Sequence, residues 1–385
     1  MRAFLAAASL AALAALSGCS TLDSLNPFSK PSGPQPAPLP QISGERAVRV
    51  LWSTSVGEAG RFVFSPAVLP GAVYAAARDG SVARFDPATG AQVWRASADT
   101  RLSAGVGADA DLAAVATEEG EVVALDAKSG AVRWRARVSS EVLAAPAVGS
   151  GLVLVRSVDN RVFAFGAADG KRRWVYQRAA TSLMVRSPAG LALDGNSAYG
   201  GFSGGRLLAL ALENGGERWE AAVANPKGAT ELERVTDVVG VPALQGREIC
   251  AGAYQGRVAC FEAASGRPLW NQELSTTTGV SVDAGFAFAS DERGAVHAFD
   301  RSSGRRAWKQ DRLANRQLSQ PEPVGDAVAV GDLEGYVHFL ARDSGAFVAR
   351  FATGRGAVRA APELLPGGKA VLVQTQGGGL YALGL

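Results

Sequence analysis

The side chains that could do chemistry are few, and their spacing is informative. The 385 residues include three Cys and two His. Cys250 and Cys260 flank Tyr254-Gln255-Gly256. If that turn has three residues with Gly last, the two thiols stand directly opposite each other across a hairpin, where oxidation joins them. The alternative is two buried free thiols, because the matching places elsewhere in the chain are apolar or small. His297 and His338 occupy equivalent places, in Gly294-Ala-Val-His297 and Gly335-Tyr-Val-His338. A repeated position points to structure rather than to a metal or to acid–base work. Gly201-Phe-Ser203-Gly-Gly205 formally matches a nucleophile elbow, but that motif needs a strand-to-helix turn with His and Asp partners. Here it falls in a hairpin turn. Asp86, Asp126 and Asp300 share one repeat position in separate units, where Asp closes a turn on its own backbone. No phosphate loop, zinc spacing or dinucleotide fingerprint is present. The chain reads as non-catalytic, without metal or cofactor.

What positions these residues is a repeat. A fifteen-residue phrase runs from Gly80 to Trp94 and again from Gly120 to Trp134, with looser copies starting at Asn160, Gly205, Gly256, Gly294, Gly335 and Gly378. The eight starts are 40, 40, 45, 51, 38, 41 and 43 residues apart. Such a period means stacked units, none of which can bury its apolar face alone. Side chains two and five places after each start are apolar, as Val82 and Phe85 are, with Ala mostly between them. Both parities are apolar, so the segment is a strand covered on both faces. The opening Gly supplies a left-handed residue to a hairpin, and Asn160 tolerates the same conformation. A second turn, from Asp86 to Gly90, leads to the strand that carries Trp94. Four-stranded units of this length arranged radially make a β-propeller.

The ends close the ring. The eighth copy runs out at Leu385, before its own Trp, and Trp52 is the one Trp without a preceding copy. The chain is therefore predicted to be all-β, with residues 45–385 forming an eight-bladed β-propeller. Its N-terminal strand completes the last blade and leaves no open seam. The Trp places are 52, 94, 134, 174, 219, 270 and 308, with Ala349 as the exception. Forty-six Gly and the lack of a helical period agree with this. A net charge of +3, from 39 basic and 36 acidic residues without a basic run, argues against nucleic acid.

Residues 1–18 read as an export signal. Arg2 precedes an apolar stretch from Ala3 to Leu16 that is too short to span a bilayer. The segment ends in Leu16-Ser17-Gly18-Cys19, which resembles the bacterial lipobox. That resemblance implies cleavage before Cys19 and acylation of Cys19; the alternative is an ordinary signal peptide with a chance Cys. Ser20, in place of Asp, favours sorting to the outer membrane. Several acyl chains anchor stably where one would be marginal. Residues 19–44 read as the lipidated Cys followed by an extended Pro/Ser-rich tether. Export into an oxidising compartment favours a Cys250–Cys260 disulfide.

The two longest repeat intervals, 45 and 51, enclose residues 175–190 and 220–242 in neighbouring blades. Both additions follow the Trp strand, so they emerge on one face, and length added to one face of a repeat array marks a binding side. The alternative is tolerated insertion. In the first loop Arg186 sits beside Leu183, Met184 and Val185, the composition of an interface hot spot. An intramolecular Arg186–Asp237 pair is the competing arrangement.

The repeat resembles that of pyrroloquinoline-quinone (PQQ) dehydrogenases, but the chain has no adjacent Cys pair and little room for insertions that build a cofactor pocket. The closer resemblance is to the BamB family, propeller lipoproteins of the BAM complex, which inserts β-barrel proteins into the outer membrane. Residues 331–338, 343–349, 181–188 and the loop Ala229-Thr-Glu-Leu-Glu-Arg-Val-Thr-Asp237 carry it. The resemblance implies a periplasmic scaffold held at the inner leaflet of the outer membrane. Its main partner would be BamA, bound through the POTRA domains of that protein. Leu183, Val185, Arg186 and Asp237 match the family's contact residues, whereas Val239 stands where a second acidic residue is expected. Two other functions compete: a PQQ-dependent dehydrogenase, and a chaperone that pairs extended segments of unfolded outer-membrane β-barrel clients with blade edges.

Overall fold

The computed structural model describes residues 34–179, 181 and 183–385. Cys19, the export signal and most of the tether lie outside them. The strand phrase folds as its two apolar parities require. Ala72–Ala76 and Leu112–Ala116 are buried at every residue, while the outermost strands Gln92–Ser97 and Val132–Arg137 leave alternate residues exposed. Eight four-stranded antiparallel sheets result, and no helix occurs among the described residues.

Blades 1 to 7 span residues 67–97, 107–137, 147–177, 191–222, 238–273, 280–310 and 322–352. Blade 8 joins Glu363–Leu364, Ala370–Gln374 and Gly379–Gly384 to the N-terminal strand Arg49–Ser55. That strand pairs antiparallel with Gly379–Gly384, Trp52 opposite Ala382. The ring is thus an eight-bladed β-propeller closed by its own N-terminus.

Each Trp locks one blade onto the next. The indole Nε1 of Trp52, Trp94, Trp134, Trp174, Trp219, Trp270 and Trp308 donates at 2.6–3.1 Å to a carbonyl in the following blade's last turn. The glycine of that turn lies against the ring; a Cβ on Gly90, Gly130 or Gly345 would stand 2.5–2.7 Å from indole carbons. A left-handed φ near 70° and this close approach both exclude a side chain there.

Ala349 is the exception for a topological reason. The next blade in the ring is blade 8, whose third strand Gly379–Gly384 pairs with Arg49–Ser55, a strand distant in sequence to which no turn joins it. No turn exists there for an indole to lock onto. Ala349 instead packs fully buried with Leu383, and Phe351 meets Tyr381 edge-on while the Tyr381 hydroxyl donates to Thr353 O at 2.9 Å.

The hairpin signal holds with one shift. Gly80, Gly120, Asn160, Gly205, Gly294, Gly335 and Gly378 all have positive φ. In the fifth copy the left-handed residue is Gln255 (φ 47°), and Gly256 is needed instead because a Cβ there would stand 2.6 Å from Ala224.

The compact propeller unit begins at Pro38, earlier than the expected residue 45. Arg350 donates to Pro40 O at 2.8 Å, Ile42 packs on the cluster containing Leu313 and Phe347, and Arg46 pairs with Asp326 at 2.8 Å. The end of the supposed tether therefore runs along blade 7.

Candidate partner-binding face

The connections 178–190 and 223–237, after blades 3 and 4, are the two longest between blades. Part of the extra length expected after residue 220 lies elsewhere. The inner strand of blade 5, Val238–Gln245, is itself long and loses register between Val239 and Ala243. Pro242, which has no N–H to give to a ladder, lies in that break.

The first loop is held from beneath. Asp237 Oδ2 accepts the Val185 N–H at 2.5 Å and its Oδ1 accepts the Gly204 N–H at 3.3 Å. Asn160 Nδ2 donates to Ser203 Oγ at 2.7 Å and approaches Met184 Sδ at 3.3 Å. Arg156 donates to Ala189 O at 3.2 Å and lies over the Phe202 ring. Burial pulls the Arg156 guanidinium down to about 10, opposed by the charges of Asp237 and Asp159. Burial also raises the Asp237 carboxyl above its ordinary value, against the pull of its two N–H donors and Arg156.

Leu183 (47% exposed) and Arg186 project into solvent, and Val185 is half-buried. Asp237 is 5% exposed and faces the loop backbone, so an expectation that it presents itself to a partner does not describe its position. Nor do Arg186 and Asp237 pair. The Arg186 guanidinium makes a two-point contact with Glu141, Nε to Oε2 at 3.0 Å and Nη2 to Oε1, with Glu118 3.8 Å away and the Phe62 ring below.

The second loop satisfies its own backbone. Glu233 Oε2 accepts the N–H groups of Ala229 and Thr230, and Thr230 Oγ1 accepts that of Glu233. This reciprocal cap resembles a helix start and lifts Leu232 to 69% exposure. Leu232, Glu141 and Phe62 were not singled out by sequence. Only Leu232 carried a signal, as the apolar residue inside a Thr-Glu-Leu-Glu turn.

The remaining chemical candidates resolve into structure. His297 and His338 each place Nε2 2.9 Å from an Asp at the preceding hairpin turn, Asp291 and Asp332. Burial pulls His338 below its ordinary value. Ser203 is buried on Asn160. Asp86, Asp126 and Asp300 accept hydrogen bonds from side chains, Thr89 at the first, Arg133 and Ser129 at the second, Ser302 and Ser303 at the third, and also from N–H groups two or three residues ahead, which together lower all three carboxyls. Cys250 faces Cys260 in the hairpin register, with their sulfurs bonded and Cα atoms 4.0 Å apart. No group of three or more His, Cys, Asp or Glu able to hold a metal occurs among the described residues.

The inner strands enclose a central channel of about 870 Å³, lined in part by Glu322, Glu363, Arg359 and Arg61. Burial pushes the Glu322 and Glu363 carboxyls up to about 8, and the charge of Glu363 adds to the rise at Glu322.

Fold and site together define an eight-bladed propeller of PQQ-like repeats with two elaborated loops on one face. Residues 78–310 match the family described as outer membrane protein assembly factor BamB, and the chain belongs to that family. The protein of that name from Bordetella pertussis is 46% identical over 380 residues, 98% of this chain and 96% of its own. The one from Pseudomonas aeruginosa is 44% identical over 98% of this chain and 97% of its own. The crystal structure of BamB from Moraxella catarrhalis superposes with a TM-score of 0.80 at 27% identity, covering 88% of this chain and 100% of that one. A quinohemoprotein alcohol dehydrogenase from Comamonas testosteroni reaches a TM-score of 0.69 at 13% identity, over 88% of this chain and 76% of its own. That likeness is one of fold alone.

Proposed function

We propose that this chain is a non-catalytic scaffold subunit of the outer-membrane β-barrel assembly machinery, acting without a covalent step. It binds the POTRA region of BamA and is held at the periplasmic face of the outer membrane by lipid on Cys19. Family membership supports the assembly role. The observation that supports the site is the projection of Leu183 and Arg186 from an elaborated loop braced by Asp237. An Arg beside apolar anchors is the usual composition of a binding hot spot.

The test is Arg186→Glu. The pair it breaks is half-exposed on the Arg186 side and contributes about 0–1 kcal/mol to folding, and the new carboxylate faces Glu141 and Glu118, so the melting transition should fall only slightly. Capture of the purified POTRA region should weaken by about 2 kcal/mol, roughly thirty-fold. Wild-type affinity in the folded variant would remove the site from this loop. Replacing Cys19 by Ala should release the folded protein from membranes into the periplasm; stable retention would refute the lipid anchor.

A further inference from the structure

Two carboxyls in the central channel have no counterpart elsewhere in the ring. In each blade the inner strand sets one residue opposite the third residue of the second strand. In blades 1 to 5 that place holds only small residues, Ala67, Gly107, Ala147, Ala192 and Ala243. Blades 6, 7 and 8 put Ser281, Glu322 and Glu363 there, in three successive blades and all lining the channel. No hydrogen bond or ion pair joins either carboxyl to a described residue, and burial holds both near their raised value of about 8. The strands packed around them, Ala67–Leu69, Val280–Val282, Ala327–Gly331 and Ala370–Gln374, carry no charged side chain. The other charged groups of the channel, Arg61, Arg186, Asp291, Glu292 and Arg359, lie in connections and turns at the loop-face end. Ser281 gives a second sign that is independent of charge. It is 5% exposed, and its Oγ makes no hydrogen bond among the described residues. A buried hydroxyl without a partner calls for one that the chain itself does not supply.

We propose that Glu322, Glu363 and Ser281 form a site inside the channel for one alkylammonium group. Three acceptors from three successive blades answer the three N–H donors of a primary ammonium. A guanidinium is a flat fork, better matched to a single carboxylate. Calcium would need about six to eight oxygen ligands, which two carboxyls and a hydroxyl do not supply. Val280, Leu318 and Pro362 also line the channel and suit the apolar stem behind a charged head. Ala147, across the ring from Glu322, leaves room for that stem. The ammonium takes the ionised carboxylates, so a proton leaves to solvent as it enters, and uptake strengthens as pH climbs through about 8. Two sources share this chemistry, a lysine side chain on a protein segment at the channel mouth and a free small amine. The site stands apart from the loop reading above.

The test is calorimetric titration of the full-length solubilised lipoprotein with butylammonium and, separately, with an acetylated and amidated Ala-Ala-Lys-Ala-Ala peptide. Binding should be about tenfold weaker at about pH 7 than at about pH 9, where the carboxyls are ionised and the amine is still charged. Glu322→Gln and Glu363→Gln should each weaken it about tenfold or more, and Ser281→Ala roughly two- to fivefold. In the wild-type protein the side-chain carboxyl carbon resonances of Glu322 and Glu363, assigned by their loss in the two Gln variants, should titrate near about pH 8. Added butylammonium should move both titrations to lower pH. Peptide binding at least as tight as that of butylammonium would assign the site to a lysine side chain of a protein segment. Weaker peptide binding would assign it to a free amine. No binding of either probe at about pH 9 would overturn the site, as would wild-type affinity in the folded double Gln variant. Calcium uptake with both amines rejected would overturn the ammonium assignment. Carboxyl resonances unmoved by bound butylammonium would place the amine elsewhere and overturn the site as well.

Discussion

Replacing Asp237 with Ala separates two roles for that carboxylate. In the structure it is buried and accepts the Val185 N–H at 2.5 Å and the Gly204 N–H at 3.3 Å, tying the loop after blade 3 to a hairpin turn of blade 4. Removing it leaves two donors without their acceptor, at about 1–3 kcal/mol each where water cannot reach. Val185 is half-buried, so water recovers part of that loss. Burial also disfavours the ionised carboxylate, as its raised pKa shows, and this offsets a further part. The net cost should be about 2 kcal/mol, a fall in Tm of roughly 3 °C for a ring of this size. The Val185 amide should exchange with solvent much faster, and POTRA capture should weaken because the loop carrying Leu183 and Arg186 loosens. Thermal unfolding, amide exchange and capture read these three effects on one variant. Unchanged Tm and unchanged Val185 exchange, with capture lost, would refute the bracing argument and make Asp237 a direct contact.

Trp308→Ala should cost about 3–5 kcal/mol by emptying the lock against Gly345. Ala349→Trp should destabilise by about 1–3 kcal/mol, because blade 8 has no turn to receive the ring and the site is already filled; a gain in Tm would refute the lock. Glu363 has a folded pKa raised to about 8, so its favourable contribution is complete below its ordinary value of 4.5 and is lost as pH climbs through about 8. Glu363→Gln should therefore melt higher than wild type at pH 9 by the equivalent of about 1–2 kcal/mol, a figure discounted for channel water, with a smaller difference at pH 5. An equal difference at both pH values would show that the carboxyl titrates normally. Thiol labelling of the denatured, unreduced protein should find neither Cys250 nor Cys260 free; reaction at both would refute the bond, whose short loop places its contribution near the low end of about 2–4 kcal/mol.

The fold was legible because its determinants are local and repeated. Left-handed turn glycines, strands apolar on both faces and a Trp at fixed distance recur in register, so the blades could be counted and the closing strand inferred from Trp52. The Ala349 anomaly was visible too, although its cause was not. The cause is the absence of a turn in blade 8, a fact of ring topology rather than of sequence near residue 349. The site was less legible. Arg186 is prominent by composition, but its partner Glu141 lies 45 residues away in a short connection. With 39 basic and 36 acidic residues, no spacing rule selects that pair. Asp237 in a polar loop reads as exposed; only the fold of blade 5 against the hairpin turn of blade 4 buries it.

These differences follow from what each part of the ring has to do. Seven interfaces repeat one lock, so each depends on residues within one repeat of another, and sequence periodicity encodes them directly. The loop face is made where the repeat is broken, from single residues contributed by several blades. Arg186 after blade 3, Glu141 after blade 2 and Phe62 after blade 8 meet only once the ring is closed. Damage to a Trp lock should therefore appear as lost stability, and damage to Arg186 as lost capture in a protein that melts close to the wild type. Asp237 joins the two, since it is buried like the frame but supports the face. Of the loop residues, it alone should move both measurements together.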